Sequence, residues 1–75
     1  MAPEAAPVRV VKKLSDLIEK VETRRELCEK MDALQTSYYM ELRDALDKED
    51  VEALRDLSLE LEFLTRFKLE VCRRD

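Results

Sequence analysis

The sequence contains no glycine, histidine or tryptophan, and its two prolines are Pro3 and Pro7. Without glycine, phosphate-binding loops and tight β-hairpin turns are excluded, because both need backbone conformations that glycine supplies. Without histidine, Ser-His and Cys-His catalysis and histidine-ligated metal sites are excluded as well. We therefore expect neither an enzyme nor a bound cofactor or metal ion.

The chain is also short, and it has no long apolar run. Its 75 residues make one small domain at most, and no run approaches the roughly 20 apolar residues of a membrane span. Glu4 stands where a secretory signal would carry bases, so we expect no signal peptide and an intracellular, cytoplasmic protein. The net charge of −4 disfavours nucleic acid, and the amphipathic segment 8–14 lacks the bulky aromatic anchors of a membrane-surface helix.

The residues that are present favour helices. Charged residues make up 43% of the chain and hydrophobic residues 45%, with much Ala, Leu, Glu, Lys and Arg. This composition predicts an all-α fold, with residues 1–7 as a disordered leader and 8–75 as a single helical domain. The apolar positions of the first half follow the 3-4 alternation of a helix with one buried stripe. They are Leu14, Leu17, Val21, Cys28, Met31, Tyr38, Leu42 and Ala45.

A charged turn over residues 47–50, Asp-Lys-Glu-Asp, divides the helical region. Asp50 is a suitable N-cap for the helix that follows, because its carboxylate can accept hydrogen bonds from free backbone N–H groups. A turn this short makes its two helices antiparallel neighbours. The sequence thus predicts an antiparallel helical hairpin, coiled-coil-like, with helices over 8–46 and 51–73.

The two predicted helices are unequal in length, and this leaves apolar residues without a partner. When the hairpin folds at its turn, the second helix ends opposite Glu22, so the apolar residues of segment 8–21 overhang. The second helix carries an extra apolar stripe, spaced by four residues, away from the one that faces the first helix. The candidate partner-binding residues are therefore Val11, Leu14, Leu17, Ile18, Val21, Leu59, Phe63 and Phe67.

Three arrangements would bury this surplus, and the sequence leaves all three open. The first helix could break near Thr23, where Thr-Arg-Arg-Glu matches the Ser/Thr-x-x-Glu capping box, and fold back as a third helix. Alternatively, the N-terminal part could overhang into a homodimer, or one stripe could dock a different protein. We predict a non-enzymatic protein–protein interaction module, a small helical adaptor or assembly factor whose partners are proteins.

Two cysteines, Cys28 and Cys72, lie 44 positions apart and form no Cys-x-x-Cys pair. The hairpin register brings Cys72 opposite residue 25, so an intrachain disulfide is conceivable. Because nothing in the sequence indicates secretion, two reduced, half-buried thiols are favoured over a disulfide.

One stretch carries a family resemblance: Ala45-Leu46-Asp47-Lys48-Glu49-Asp50, then Ala53, Asp56 and Glu60-Leu61-Glu62-Phe63-Leu64. Over residues 27–70 the chain resembles the helical C-terminal domain of the J-protein co-chaperones of iron–sulfur cluster assembly, in which an acidic turn precedes a Leu-x-Phe-Leu segment. The resemblance implies a client- or scaffold-binding co-chaperone subunit that uses Leu59, Phe63 and Phe67. The chain lacks histidine, and hence the His-Pro-Asp motif and the J-domain, so stimulation of a partner ATPase is not implied.

Overall fold

The computed structural model describes residues 7–73, which form three α-helices. They are α1 (Val8–Lys20), α2 (Arg24–Asp47) and α3 (Val51–Cys72). The predicted all-α fold is confirmed. The leader predicted over residues 1–7 lies, apart from Pro7, outside the described residues. Within the described part of the chain, no helix combines the length and the apolar character needed to cross a bilayer.

The first helical region is interrupted between α1 and α2, so the break that the sequence left open near Thr23 is present and divides the helix predicted over residues 8–46. Val21 and Thr23 both adopt extended backbone conformations. The Thr23 hydroxyl accepts a hydrogen bond from the Glu26 N–H at 3.1 Å, and the Glu26 carboxylate accepts one from the Glu22 N–H at 3.1 Å. The break is stable because these two contacts satisfy backbone donors that a helix start otherwise leaves free.

The turn between α2 and α3 is tight, and it contains no glycine. Glu49 takes the left-handed conformation, with φ 56°. Its N–H donates to the Leu46 carbonyl at 3.0 Å, while the Asp50 N–H donates to the Ala45 carbonyl at 2.9 Å. This is a Schellman motif, which satisfies the last carbonyls of α2. Asp50 then caps α3, because its carboxylate accepts from the Ala53 N–H at 3.2 Å.

Contacts between α2 and α3 follow opposite orders along the two helices. Tyr38 bonds Glu60, Gln35 bonds Thr65, and Cys28 is joined to Cys72. Residues earlier in α2 therefore meet residues later in α3, so the two helices run in opposite directions.

The α1 helix packs back onto this pair as a third helix, which is one of the arrangements that the sequence left open. The Nε of Arg9 lies 3.8 Å from Oε2 of Glu60 on α3, and the Lys13 ammonium lies 4.8 Å from the centre of the Tyr38 ring on α2. All three helices contribute to one core, and burying each large side chain contributes roughly 1.5–3 kcal/mol. Its members are Val10, Leu14, Leu27, Met31, Tyr38, Ala45, Leu57, Leu61 and Leu64.

A disulfide joins Cys28 to Cys72, so the reduced thiols favoured from the sequence are wrong for this structure. Both residues are half-buried at the end of the bundle where α2 begins and α3 ends. The helix register brings their Cα atoms to 6.0 Å, which is within the range that a disulfide spans. The prediction failed because it relied on cellular context, whereas the fold itself aligns the two side chains.

Candidate functional site

One edge of α1 faces α2, and this fixes where its other apolar residues lie. Lys13 and Leu17 line a cavity together with Lys30 and Leu34 of α2. Successive helix residues are rotated by about 100°, so the order around α1 is Lys13, Leu17, Leu14 and then Ile18. Leu14 is buried in the centre of the bundle, so the residues that follow it in this order lie on the edge of α1 away from α2. They are Ile18 and, next around the helix, Val11.

The same reasoning divides α3 into two edges. Thr65 hydrogen-bonds Gln35 on one side of α3, so this edge faces α2. Phe63 and Phe67 lie on the opposite edge, beyond the buried Glu60, and pack partly against the core. Glu60 also pairs with Arg9, which brings this part of α3 close to the start of α1.

The relative direction of α1 and α3 follows from two fixed points. Arg9 near the start of α1 lies beside Glu60, and α1 ends where α2 begins, near Cys28 and its bonded partner Cys72 at the end of α3. The two helices therefore run in the same direction.

Six incompletely buried apolar side chains remain on the parts of α1 and α3 that face away from α2. We call this surface the α1–α3 flank: Val8, Val11 and Ile18 from α1, and Leu59, Phe63 and Phe67 from α3. Val11 is 40% exposed, and Ile18 and Leu59 are each 48% exposed, while both phenylalanines are partly exposed. The flank has no partner among the described residues, so its arrangement suits docking of a second apolar surface.

The eight residues predicted to bind a partner divide into two groups. Leu14 is buried in the core, and Leu17 and Val21 pack partly against it, so the fold of the chain itself uses these three side chains. The other five all lie on the α1–α3 flank. They are Val11, Ile18, Leu59, Phe63 and Phe67.

Sequence reasoning missed Val8 as a member of the flank. Val8 is 77% exposed and belongs to segment 8–21, but it is not among the eight predicted residues. Its spacing of three residues from Val11 was the available signal, because such positions share a helix face.

A polar cluster at the junction of the three helices was also missed. Glu60 is only 4% exposed, and its carboxylate accepts a 2.6 Å hydrogen bond from the Tyr38 hydroxyl and faces Arg9. Burial of Tyr38, together with this hydrogen bond and the charge of Glu60, raises the pKa of the tyrosine hydroxyl. The cluster has its hydrogen-bonding groups paired, which fits a role in holding α1 against α2 and α3.

The described residues bring together no group of three His, Cys, Asp or Glu side chains that could hold a metal ion. Comparison of the chain with protein-family models, with curated proteins and with solved structures finds no match.

Proposed function

We propose that the chain is a non-enzymatic protein–protein interaction module, a small helical adaptor or assembly factor that self-associates through the α1–α3 flank. The observation that carries the proposal is the presence of six incompletely buried apolar side chains on the parts of α1 and α3 that face away from α2. Each such side chain contributes roughly 1.5–3 kcal/mol when it is fully removed from water. A partner surface that covers the flank recovers part of this free energy.

Charge complementarity favours a second copy of this chain as the partner. Apart from Arg9 and Glu60, which already pair within one copy, the α1 helix carries three basic residues against two acidic ones, and α3 carries four acidic residues against three basic ones. In a two-fold symmetric pair, α1 of one copy lies across α3 of the other, so opposite charges meet twice. Such complementarity guides association and selects the orientation of the pair.

Sedimentation equilibrium at micromolar concentration tests this proposal. We expect a dimer mass for the unmodified chain and a monomer mass for Ile18→Glu, because a carboxylate on the flank would be desolvated in the dimer. Met40→Glu is the matched control, since Met40 is 67% exposed on α2 and lies outside the flank. A monomer mass for the unmodified chain, or an equal effect of both substitutions, would contradict self-association.

A second candidate function is scaffold binding by a co-chaperone subunit, as the resemblance to J-protein C-terminal domains implies. It is favoured by the position of Phe63, which lies on the flank next to the exposed Leu59. Under this proposal, Phe63→Ala weakens pull-down of a purified iron–sulfur scaffold protein and changes the melting temperature little. A large loss of stability would instead show that Phe63 acts mainly in the core.

The cytoplasmic location also belongs to the proposal, and the disulfide bears on it. Structural disulfides persist in oxidising compartments, whereas cytosolic thiols are kept reduced. Trapping the cysteines with an alkylating reagent in intact cells, followed by a mobility assay, tests the location. A cytoplasmic protein is expected to show two alkylated thiols, and a fully oxidised population would contradict this location.

A further inference from the structure

The Cys28–Cys72 disulfide shares a surface cavity with two arginine side chains. The cavity has a volume of about 420 Å³ and is lined by Arg24, Arg25 and both cysteines. The cysteines are half-buried and line this cavity, so a small solute that enters it can contact their sulfur atoms.

The two arginines are positioned to act on Cys28. Arg24 and Arg25 precede it by four and three positions on α2, and side chains at these spacings are neighbours on a helix surface. Both arginines are exposed, so their guanidinium groups attract anions from solution. They also stabilise a thiolate on Cys28 whenever the disulfide opens.

The other charged groups near the disulfide largely offset one another. On the α3 side, Glu70 and Arg73, one of each sign, line a neighbouring cavity with Cys72. Lys68 forms an ion pair with Asp32 of α2.

At the start of α2, the Glu26 carboxylate is engaged by the Glu22 N–H, and the side chain of Glu22 itself is exposed. Glu29 lies four positions after Arg25 on α2 and offsets part of the arginine charge. Among the described residues that line the disulfide cavity itself, there are two arginines and no acidic residue.

We propose that Cys28–Cys72 is a reversible redox site that exchanges with anionic low-molecular-weight thiols of the glutathione class. The arginines draw the anionic thiol into the cavity, and its thiolate attacks the sulfur of Cys72. The Cys28–Cys72 bond breaks, its electron pair stays on Cys28 as a thiolate beside Arg24 and Arg25, and a mixed disulfide forms on Cys72.

A second thiolate of the same class completes the reduction. It attacks the sulfur of the bound small thiol in the mixed disulfide, which releases the oxidised small-thiol dimer and leaves a thiolate on Cys72. Both cysteine thiolates then equilibrate with protons from water. The two electrons that open the protein disulfide are those that the two small thiols lose. The reverse sequence, with the oxidised dimer as oxidant, closes the bond again.

This site is independent of the α1–α3 flank, because it lies at the end of the bundle and involves none of the residues of the flank. Its test compares how fast the folded protein is reduced by glutathione, which is anionic, and by cysteamine, which is cationic. Alkylation followed by mass measurement reports the reduced fraction with time. Each rate is first divided by the rate at which the same thiol reduces a small exposed disulfide. We expect the ratio of the corrected glutathione rate to the corrected cysteamine rate to exceed one.

The double variant Arg24→Gln/Arg25→Gln should lower the corrected ratio by about tenfold, because electrostatic steering changes association rates by at least this factor. Arg43→Gln/Arg55→Gln is the matched control, since it removes two exposed arginines elsewhere on α2 and α3. A corrected ratio near unity, or an equal effect of both double variants, would overturn the proposal. So would a reduction rate that does not depend on thiol concentration and equals the unfolding rate, because the bond would then react only after unfolding.

Discussion

The hydroxyl of Tyr38 on α2 donates a 2.6 Å hydrogen bond to Oε1 of Glu60 on α3, at a point where α1 covers both residues. Glu60 is the one charged residue that is buried among those the structure describes. A buried carboxylate is tolerated only when it is paired, because the loss of hydration is costly. The position of α2 against α3 therefore depends in part on the Tyr38–Glu60 contact, and Arg9 of α1 faces the same carboxylate.

Substitution of Tyr38 by Phe tests this dependence. The ring and its contact with Lys13 are retained, so the change isolates the hydroxyl. We expect the free energy of unfolding to fall by about 1–3 kcal/mol, because Glu60 loses a hydrogen bond to its buried carboxylate. Urea denaturation followed by circular dichroism measures the loss. Tyr39→Phe is the control, since Tyr39 is exposed, and a loss of equal size there would refute the assignment.

The raised pKa of Tyr38 predicts a loss of stability in alkali. A tyrosine whose pKa is higher in the folded state than in the unfolded state contributes stability below the unfolded value, near pH 10, and loses it as the pH rises further. Unfolding free energies measured on both sides of roughly pH 10 should therefore decline more steeply for the unmodified protein than for Tyr38→Phe. Parallel pH profiles of the two proteins would show that Tyr38 is not responsible.

Removal of the disulfide should lower stability through the unfolded state. The bond closes a loop across a separation of 44 residues, and its loss in Cys28→Ser/Cys72→Ser is expected to cost about 2–4 kcal/mol. Guanidinium denaturation measures the difference. A reducing agent should destabilise the unmodified protein by a similar amount and leave the double variant unchanged. If the reductant affects both proteins alike, the loss does not come from this bond.

The left-handed Glu49 offers a stabilising substitution. An L-residue in this conformation costs roughly 1–2 kcal/mol, whereas glycine adopts it freely but loses more backbone entropy on folding. We expect Glu49→Gly to raise the free energy of unfolding by about 0.5–1 kcal/mol, as measured by thermal denaturation. Glu41→Gly, at an exposed position inside α2, should instead lower it by about 1 kcal/mol. Destabilisation by both changes would contradict the role given to the turn.

The helices themselves could be predicted from local signals. Composition and the 3-4 spacing of apolar residues specify helix, and Asp50 marks the start of α3 because a side-chain cap acts within one turn. The capping box at Thr23 was also visible, but local interactions alone could not decide whether the helix breaks there. The same four residues are compatible with an uninterrupted helix. Whether the helix breaks therefore depends on the free energy that α1 gains when it packs against α2 and α3.

That gain is a property of the tertiary structure. When α1 folds back, Val10 and Leu14 become buried, and Arg9 reaches Glu60 at a distance of 51 positions along the chain. Pairings over such a separation depend on how the helices are rotated about their axes, which the apolar pattern defines only coarsely. The sequence by itself determined that the chain forms helices with more apolar surface than one hairpin covers. Packing decided which part of that surface became core, which part remained on the α1–α3 flank, and that Cys28 and Cys72 meet.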